Sequence, residues 1–412
     1  MASIQQDHPI VLGDRGDLPS AESQQATALT PANSKDLHLS QRTDHESLCI
    51  WKDTFAEWGD ALTLPQYLEE SIYVTKIPLA KDGGMTQWVL VDKNLSPNNR
   101  PTLASCEIII KRALVSDIKG RVAEVIIPGI ASVFCKPEWR HHLYGTRLMQ
   151  ELAKMLRGYQ VGDKKCAGSI LYSDTGKKFY PRIGWYPIPN NSHIEFSPST
   201  SSNITKATPL LAEDLEKLCQ EDEVMVRRSM ETDSKGKTRM IIIPDVDHMR
   251  WHHGKEEFGG EKLFGKQPQI KGAMVGELGN RIWVIWTHRF YNHPDLESSQ
   301  NKLYILRLVI ENQKTSPRLE DPSYDAGKLE LQAAQLKRVL EAAQNEAAEW
   351  KLRQVQLWDP SLLVQDLIDR AGMEHRIVDR EHESISSLLW FGENGIEGDS
   401  VEWVANEYYA WL

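Results

Sequence analysis

The residues of this chain best suited to chemistry lie between Ile130 and Gly184. An apolar, β-branched run, Ile130 to Cys135, leads through a polar turn, Arg140-His141-His142-Leu143-Tyr144-Gly145, straight into an amphipathic helical pattern. The first N–H groups of a helix have no intrahelical acceptor and sit at the positive end of its dipole, so such a turn is a ready cradle for an anion. Arg140 supplies charge where a polyphosphate would lie, and Gly145 lets the backbone approach closely. A second set, His248, His252 and His253, invites a metal. The zinc-protease pattern needs Glu directly after the first His; Met249 stands there, with no Cys nearby as a further ligand. No metal site is expected.

The elements that must position the loop follow from periodicity. Leu148, Leu152 and Leu156, with Met149 and Ala153, form one apolar stripe at helical spacing behind it. Ser169 to Tyr172 reads as the next strand and Lys177 to Arg182 as a short helix. Upstream, Leu37 to Ser40 reads as a strand and Glu46 to Trp58 as a helix capped by Asp44, continued by Leu64 to Leu68 after a break. Gln87 to Asp92, Leu103 to Val115 and Arg121 to Phe134 read as an antiparallel meander. Residues 1–34, rich in Ser, Gln, Ala, Asp and Pro, are expected to be a disordered head. Residues 35–198 form a first α+β domain and 199–206 a linker, within the Ser/Thr/Asn-rich stretch Ser197 to Thr205.

Residues 207–412 repeat the plan. A helix is expected over Pro209 to Gln220, then strands at Arg239 to Ile243, Ile282 to Trp286 and Leu303 to Ile310. A long helix, Gly327 to Trp350, follows. After it come a strand at Val355 to Trp358, a helix at Leu362 to Ala371, and strand-like runs at Leu388 to Phe391 and Val401 to Trp411. The connection Glu311 to Ala326 is long and polar with two prolines, unlike a phosphate loop.

The loop and its flanks resemble the GNAT family of acetyl-CoA-dependent N-acetyltransferases. That family's loop reads Gln/Arg-x-x-Gly-x-Gly/Ala, followed by a Tyr and a Gly-aromatic pair. Arg140, Gly145, Tyr180, Gly184 and Trp185 match, with Leu143 where the first Gly is usual. Further segments narrow the likeness: Leu37-His38-Leu39-Ser40, Asp245 to His253, Trp283 to His288 and Leu303 to Arg307. With these the chain is similar to the fungal lysine N6-acetyltransferase family of lysine catabolism. The resemblance implies a GNAT-type mixed sheet flanked by helices, with the second α+β domain a degenerate copy that builds part of the acceptor site. It implies acetyl-CoA held by Val133, Phe134, Arg140, His141, His142, Leu143, Tyr144, Gly145 and Thr146, and Tyr180 as the acid that protonates the departing thiolate. The acceptor would be a small amine such as L-lysine. Asp247 and His248 could face its ammonium groups, with a solvated loop as the equal alternative.

An ε-amine is protonated at neutral pH and must lose its proton before attack. Some relatives use a Glu on the strand before the loop, but that place falls near Gly129, with no carboxylate. Glu124 is farther back and Glu138 reads as exposed. The apolar tail Tyr408 to Leu412 offers another candidate base, the α-carboxylate of Leu412, against the alternative of a strand ending in solvent.

Composition bounds the rest. With 41% hydrophobic and 26% charged residues the chain is of ordinary globular type, and no apolar run approaches the ~20 residues that span a bilayer. A net charge of −10 lacks the basic footprint of nucleic-acid binding. Five scattered cysteines form no metal-type pair and point to the cytoplasm. Acetylation of another small amine or of protein lysines, and non-catalytic acyl-CoA binding, stay open as alternatives.

Overall fold

The computed structural model describes residues 29–200, 207–232, 236–293, 295–296, 300–311, 326–392 and 401–411. The expected disorder of the head falls, for residues 1–28, outside the described residues, as does the linker at 201–206. Residues 29–34, read as part of that head, instead lie against the protein. Leu29 and Ala32 pack on the first core, Thr30 Oγ1 donates to Asp92 at 2.5 Å, and Arg147 donates to the carbonyls of Ala32 and Ser34. The segment is ordered because a helix supplies donors for its carbonyls.

The first half runs β1 (Leu37–Gln41), α1 (Asp44–Trp58), α2 (Leu64–Val74), β2 (Met85–Asp92), β3 (Ala104–Ile109) and β4 (Arg112–Ser116). It continues through β5 (Val122–Ile126), β6 (Gly129–Phe134), α3 (Tyr144–Arg157) and a small hairpin, β7 (Gln160–Val161) and β8 (Lys164–Lys165). Then come β9 (Gly168–Ser173), β10 (Tyr186–Pro187) and β11 (Ser192–Phe196). The second half opens with β12 (Thr208–Leu210), α4 (Ala212–Met230), β13 (Thr238–Ile242), α5 (Val246–Phe264) and β14 (Gly272–Val275). After β15 (Ile282–Arg289) and β16 (Lys302–Ile310) come α6 (Ala326–Glu349), β17 (Gln354–Trp358) and α7 (Leu362–Arg370). The last strands are β18 (Arg376–Asp379), β19 (Ile385–Trp390) and β20 (Val401–Trp403).

Local chemistry explains several boundaries. Thr43, not Asp44, caps α1: its hydroxyl accepts from the Glu46 N–H while the Glu46 carboxylate accepts from the Thr43 N–H, a capping box. The two expected strands Leu103 to Val115 and Arg121 to Phe134 each break in the middle, at Ile110-Lys111 and at Ile127-Pro128. Proline lacks the N–H a ladder needs. The outer pieces β4 and β5 leave the first sheet and pair with β13 and β20 in a four-stranded sheet. The segment Asp245 to His253 is not a loop but the start of the 19-residue α5. Its three glycines disfavour a helix by about 1 kcal/mol each, and they hid it from a sequence reading. Gly254 is needed there, since a Cβ would come within 2.5 Å of Ile77.

Two seven-stranded sheets share one plan. The first has order β1-β2-β3-β6-β9-β19-β10 and the second β12-β14-β15-β16-β17-β11-β18. Each is antiparallel up to one parallel pair, β6–β9 or β16–β17, bridged by the long helix α3 or α6. Each half also lends a strand: β19 pairs with β9, and β11 pairs with β17. The α+β architecture with a second copy of the plan is therefore real. Leu148, Leu152 and Leu156 of α3 fill the first core, while Leu336, Val339 and Leu340 of α6 fill the second. Between the sheets Ala113, Ile127 and Ile170 meet Trp283, Trp358, Tyr408 and Tyr409 in a third.

Candidate active site

The parallel pair in the first sheet does not run its full length. β6 and β9 are in register only at Gly129–Ile170 and Ile130–Leu171, although β6 continues to Phe134. On its other side β6 stays paired with β3 through Phe134, with a register shift between Ser105 and Glu107. Ser132 sits at φ 52°. Such a bulge bends a strand and re-aims its side chains. β6 thus parts from β9, and the main chain of Ala131 to Phe134 faces a wedge where its polar groups need partners. In the second sheet β16 and β17 stay paired from Lys302–Gln354 to Ile305–Leu357; no such wedge opens there.

The wedge leads to the loop. His141 and Leu143 both take positive φ, 68° and 64°, a backbone curl that makes anion-binding concavities. The first intrahelical bond runs from Arg147 N to Leu143 O, so the N–H groups of Tyr144, Gly145 and Thr146 have no intrahelical acceptor. Nothing lies within 4 Å of where a Cβ on Gly145 would project, so the cradle is open. Left-handed backbone at Leu143 accounts for the glycine usual at that place in relatives. Arg140 is turned aside, pairing with Glu57 at 2.8 Å and with the carbonyl of Cys135; Lys136 pairs with Asp53. Exposed pairs of this kind are worth ~0–1 kcal/mol, so a polyphosphate could readily draw Arg140 away. His141 and His142 are exposed, while the Tyr144 ring is buried and its hydroxyl donates to the Thr30 carbonyl. These features fit a pyrophosphate over the helix and an amide-bearing arm in the wedge.

Tyr180 begins the short 3-10 turn Tyr180–Ile183 that follows β9. The turn closes at Gly184, φ 106°, a conformation that favours glycine. Trp185 locks behind it, fully buried, its N–H donating to the Tyr180 carbonyl. Tyr180 is 8% exposed, edge-on to Phe179. Burial, with Asp174 and Cys106 adding to it, pushes the phenol well above its ordinary value. It stays protonated near neutrality and can act as a proton donor.

The expected substrate contacts Asp247 and His248 lie elsewhere. Asp245 caps α5, which turns His248 inward, its Nδ1 2.8 Å from that carboxylate, while Asp247 points to Arg250 at 3.6 Å. His253 contacts the Trp286 carbonyl. Among the described residues no cluster of His, Cys, Asp or Glu is placed to hold a metal. Glu124 serves Arg112 and Arg227, away from the wedge.

Two groups that sequence reasoning missed do border the site. Glu107, opposite Ala131 across β3–β6, accepts from Ser132 Oγ at 2.9 Å and from Arg42 and Gln87. Asp60, Glu70, Lys255, Arg289, Tyr408 and Trp411 line a small cavity under the α1–α2 turn. These residues are scattered over most of the chain, and no local pattern joins them. Leu412 lies outside the described residues, but Tyr408 to Ala410 are buried, so the tail docks, through a 3-10 turn rather than a strand.

Comparison with known proteins adds to this geometry. A family model described as the LYC1 GNAT-like C-terminal domain matches residues 193–412, more than half of the chain. A lysine acetyltransferase of Yarrowia lipolytica is 23% identical over 297 residues, covering 62% of this chain and 73% of that protein. Among solved structures, a GCN5-related N-acetyltransferase from Kribbella flavida has a TM-score of 0.48 at 15% identity, over 86% of this chain and 71% of that one. Saccharomyces cerevisiae N-myristoyltransferase with bound myristoyl-CoA has a TM-score of 0.47 at 10% identity, over 91% and 82%. With an open phosphate cradle in one sheet and the matched family domain in the other, the chain belongs to the LYC1-like GNAT family and is a GNAT-type N-acetyltransferase.

Proposed function

We propose that this enzyme transfers the acetyl group of acetyl-CoA directly to the ε-amine of free L-lysine within a ternary complex. The observation that carries the reading is the wedge between β6 and β9, which opens onto the uncapped N-terminus of α3 beside Tyr180. The lysine acetyltransferase of Yarrowia lipolytica supports the choice of acceptor. In this reading Val133, Phe134, Arg140, His141, His142, Leu143, Tyr144, Gly145 and Thr146 hold the cosubstrate, which supplies an activated thioester. Tyr180 returns a proton to the leaving thiolate. A carboxylate takes the proton from the amine, either Glu107 at the bulge or the α-carboxylate of Leu412.

The division into a donor-binding domain at 35–198, a linker at 199–206 and an acceptor-side domain at 207–412 belongs to the same proposal. So does a cytoplasmic setting, supported by five cysteines that are all free thiols. No helix among the described residues is long and apolar enough to cross a membrane. The test is release of CoA thiol from acetyl-CoA with a panel of L-lysine, other small amines and lysine-containing peptides. Preference for L-lysine is expected. Turnover of peptides or other amines in its place would overturn the acceptor assignment, and the absence of any turnover would overturn the transfer reading itself.

A further inference from the structure

The cavity under the α1–α2 turn is built from opposed charges. Asp60 pairs with Arg289 at 2.5 Å, and Glu70 lies 3.6 Å from Lys255. Tyr408 and Trp411 of the docked tail close one side. Arg289 comes from the end of β15 in the second half, Asp60 from the turn in the first, so the site exists only where the halves meet. Arg289 Nε is buried without a hydrogen-bond partner among the described residues. Burying ionised groups costs several kcal/mol each, and well-packed apolar residues would serve stability as well. Two acids and two bases around a void therefore point to a ligand carrying both signs of charge.

The cavity also stands in the right place. Trp58, at the end of α1, packs edge-on against Phe134 at the mouth of the wedge, with ring centroids 6.0 Å apart. Asp60 follows after Gly59 alone, so its Cα is within ~7 Å of that of Trp58. Beneath the same hairpin the Tyr67 hydroxyl, 3.0 Å from Thr54 Oγ1, lies in the field of both Glu70 and Glu107. A path lined by carboxylates thus runs from the charged cavity toward the bulge at Ser132.

We infer that this cavity is the subsite for the zwitterionic head of an α-amino acid acceptor, with Arg289 taking the α-carboxylate and Asp60 and Glu70 the α-ammonium. The side chain then extends along the hairpin and delivers its terminal amine to the wedge. Arg289 suits the role because its planar fork binds a carboxylate through two N–H groups, Nε among them. The cavity is about 30 Å³, room for about one water. The head group enters as the α1–α2 turn moves outward. Burial holds the Asp60 carboxyl above its usual range despite Arg289, and an arriving ammonium relieves that. The inference rests on the amino-acid acetyltransferase reading and gives it a recognition element.

The test uses the full-length protein with CoA present and measures binding by calorimetry, separately from turnover. The probes are L-lysine, cadaverine, which lacks the carboxylate, and 6-aminohexanoate, which lacks the α-ammonium. L-lysine should bind roughly 10- to 100-fold tighter than either, the range of one or more charge-assisted hydrogen bonds. Arg289→Gln should remove the difference between L-lysine and cadaverine, and a thermal melt shows whether that variant folds. The native protein decides the matter even if it does not: equal binding of the three probes, or no binding of L-lysine, overturns the subsite. Turnover speaks only to the transfer reading, so a protein that binds L-lysine selectively without acetylating it would keep the subsite and lose the reaction.

Discussion

Lys111 gives the sharpest physical test of the structure. It occupies the break between β3 and β4, its side chain fully buried and its Nζ without a hydrogen-bond partner among the described residues. Burial pushes the ammonium down from 10.5 to about 7, with the attraction of Asp245 offsetting part of the effect. Facing it on α5 are His248 and His252, both held below their ordinary value, chiefly by burial. The folded protein therefore binds this proton more weakly than the unfolded chain. Between about pH 7 and pH 10.5 the unfolded state carries the extra proton, so stability rises with pH across that window and the penalty is greatest below it. At ~1.36 kcal/mol per tenfold change in proton affinity the full penalty is about 5 kcal/mol. Relaxation of the surroundings brings a realistic figure to about 2–4 kcal/mol. Lys111→Met keeps the length of the side chain and removes the titration. Urea unfolding at several pH values between 7 and 10 should show the variant more stable at neutrality, with the gap narrowing by that amount as the pH rises. A gap that does not change with pH, or a variant less stable at pH 7, would refute the reasoning and give Lys111 a buried partner.

The remaining expectations concern the site. Tyr180→Phe should lower kcat by roughly 10²-fold with little change in acetyl-CoA affinity, as measured by steady-state kinetics and calorimetry; near-normal turnover would reduce Tyr180 to a packing residue. Arg140→Glu should weaken acetyl-CoA binding at least tenfold by placing an anion against the phosphates, and unchanged affinity would move the cofactor elsewhere. Leu143→Gly should stabilise the protein by about 1 kcal/mol, read as a higher urea midpoint, because an L-residue is strained at φ 64°; a loss of stability would mean the exposed Leu143 side chain packs on something. For the base, Glu107→Gln is compared with a short glycine extension after Leu412. The change that lowers kcat by 10²-fold or more while sparing cofactor affinity identifies the proton acceptor, and if neither does, both candidates fall.

How much of this was legible in the sequence depends on whether the signal is local. The strand, phosphate turn and helix around Arg140 could be read directly, because a backbone anion site needs only a strand, a few turn residues and a helix with one apolar stripe. Leu148, Leu152 and Leu156 announced that stripe by spacing alone. The long helix α6 and most strands of the second half were legible for the same reason. What failed was local signal masked by context. Glycines and histidines hid α5, and with it the fact that Asp245 claims His248 as part of a helix cap. Pairing partners were never in the sequence pattern: nothing in Ile385 to Trp390 says that it will lie against β9 in the first sheet, or in Ser192 to Phe196 that it will join the second. Those pairings are settled by which faces must be buried, and through them each sheet is completed by a strand from the other half. The sequence by itself therefore determined the acyl-CoA cradle and the family. Only the tertiary structure decided the acceptor side, because Asp60, Glu70, Lys255, Arg289 and Trp411 become neighbours solely through the packing of α1–α2, α5, β15 and the tail against one another.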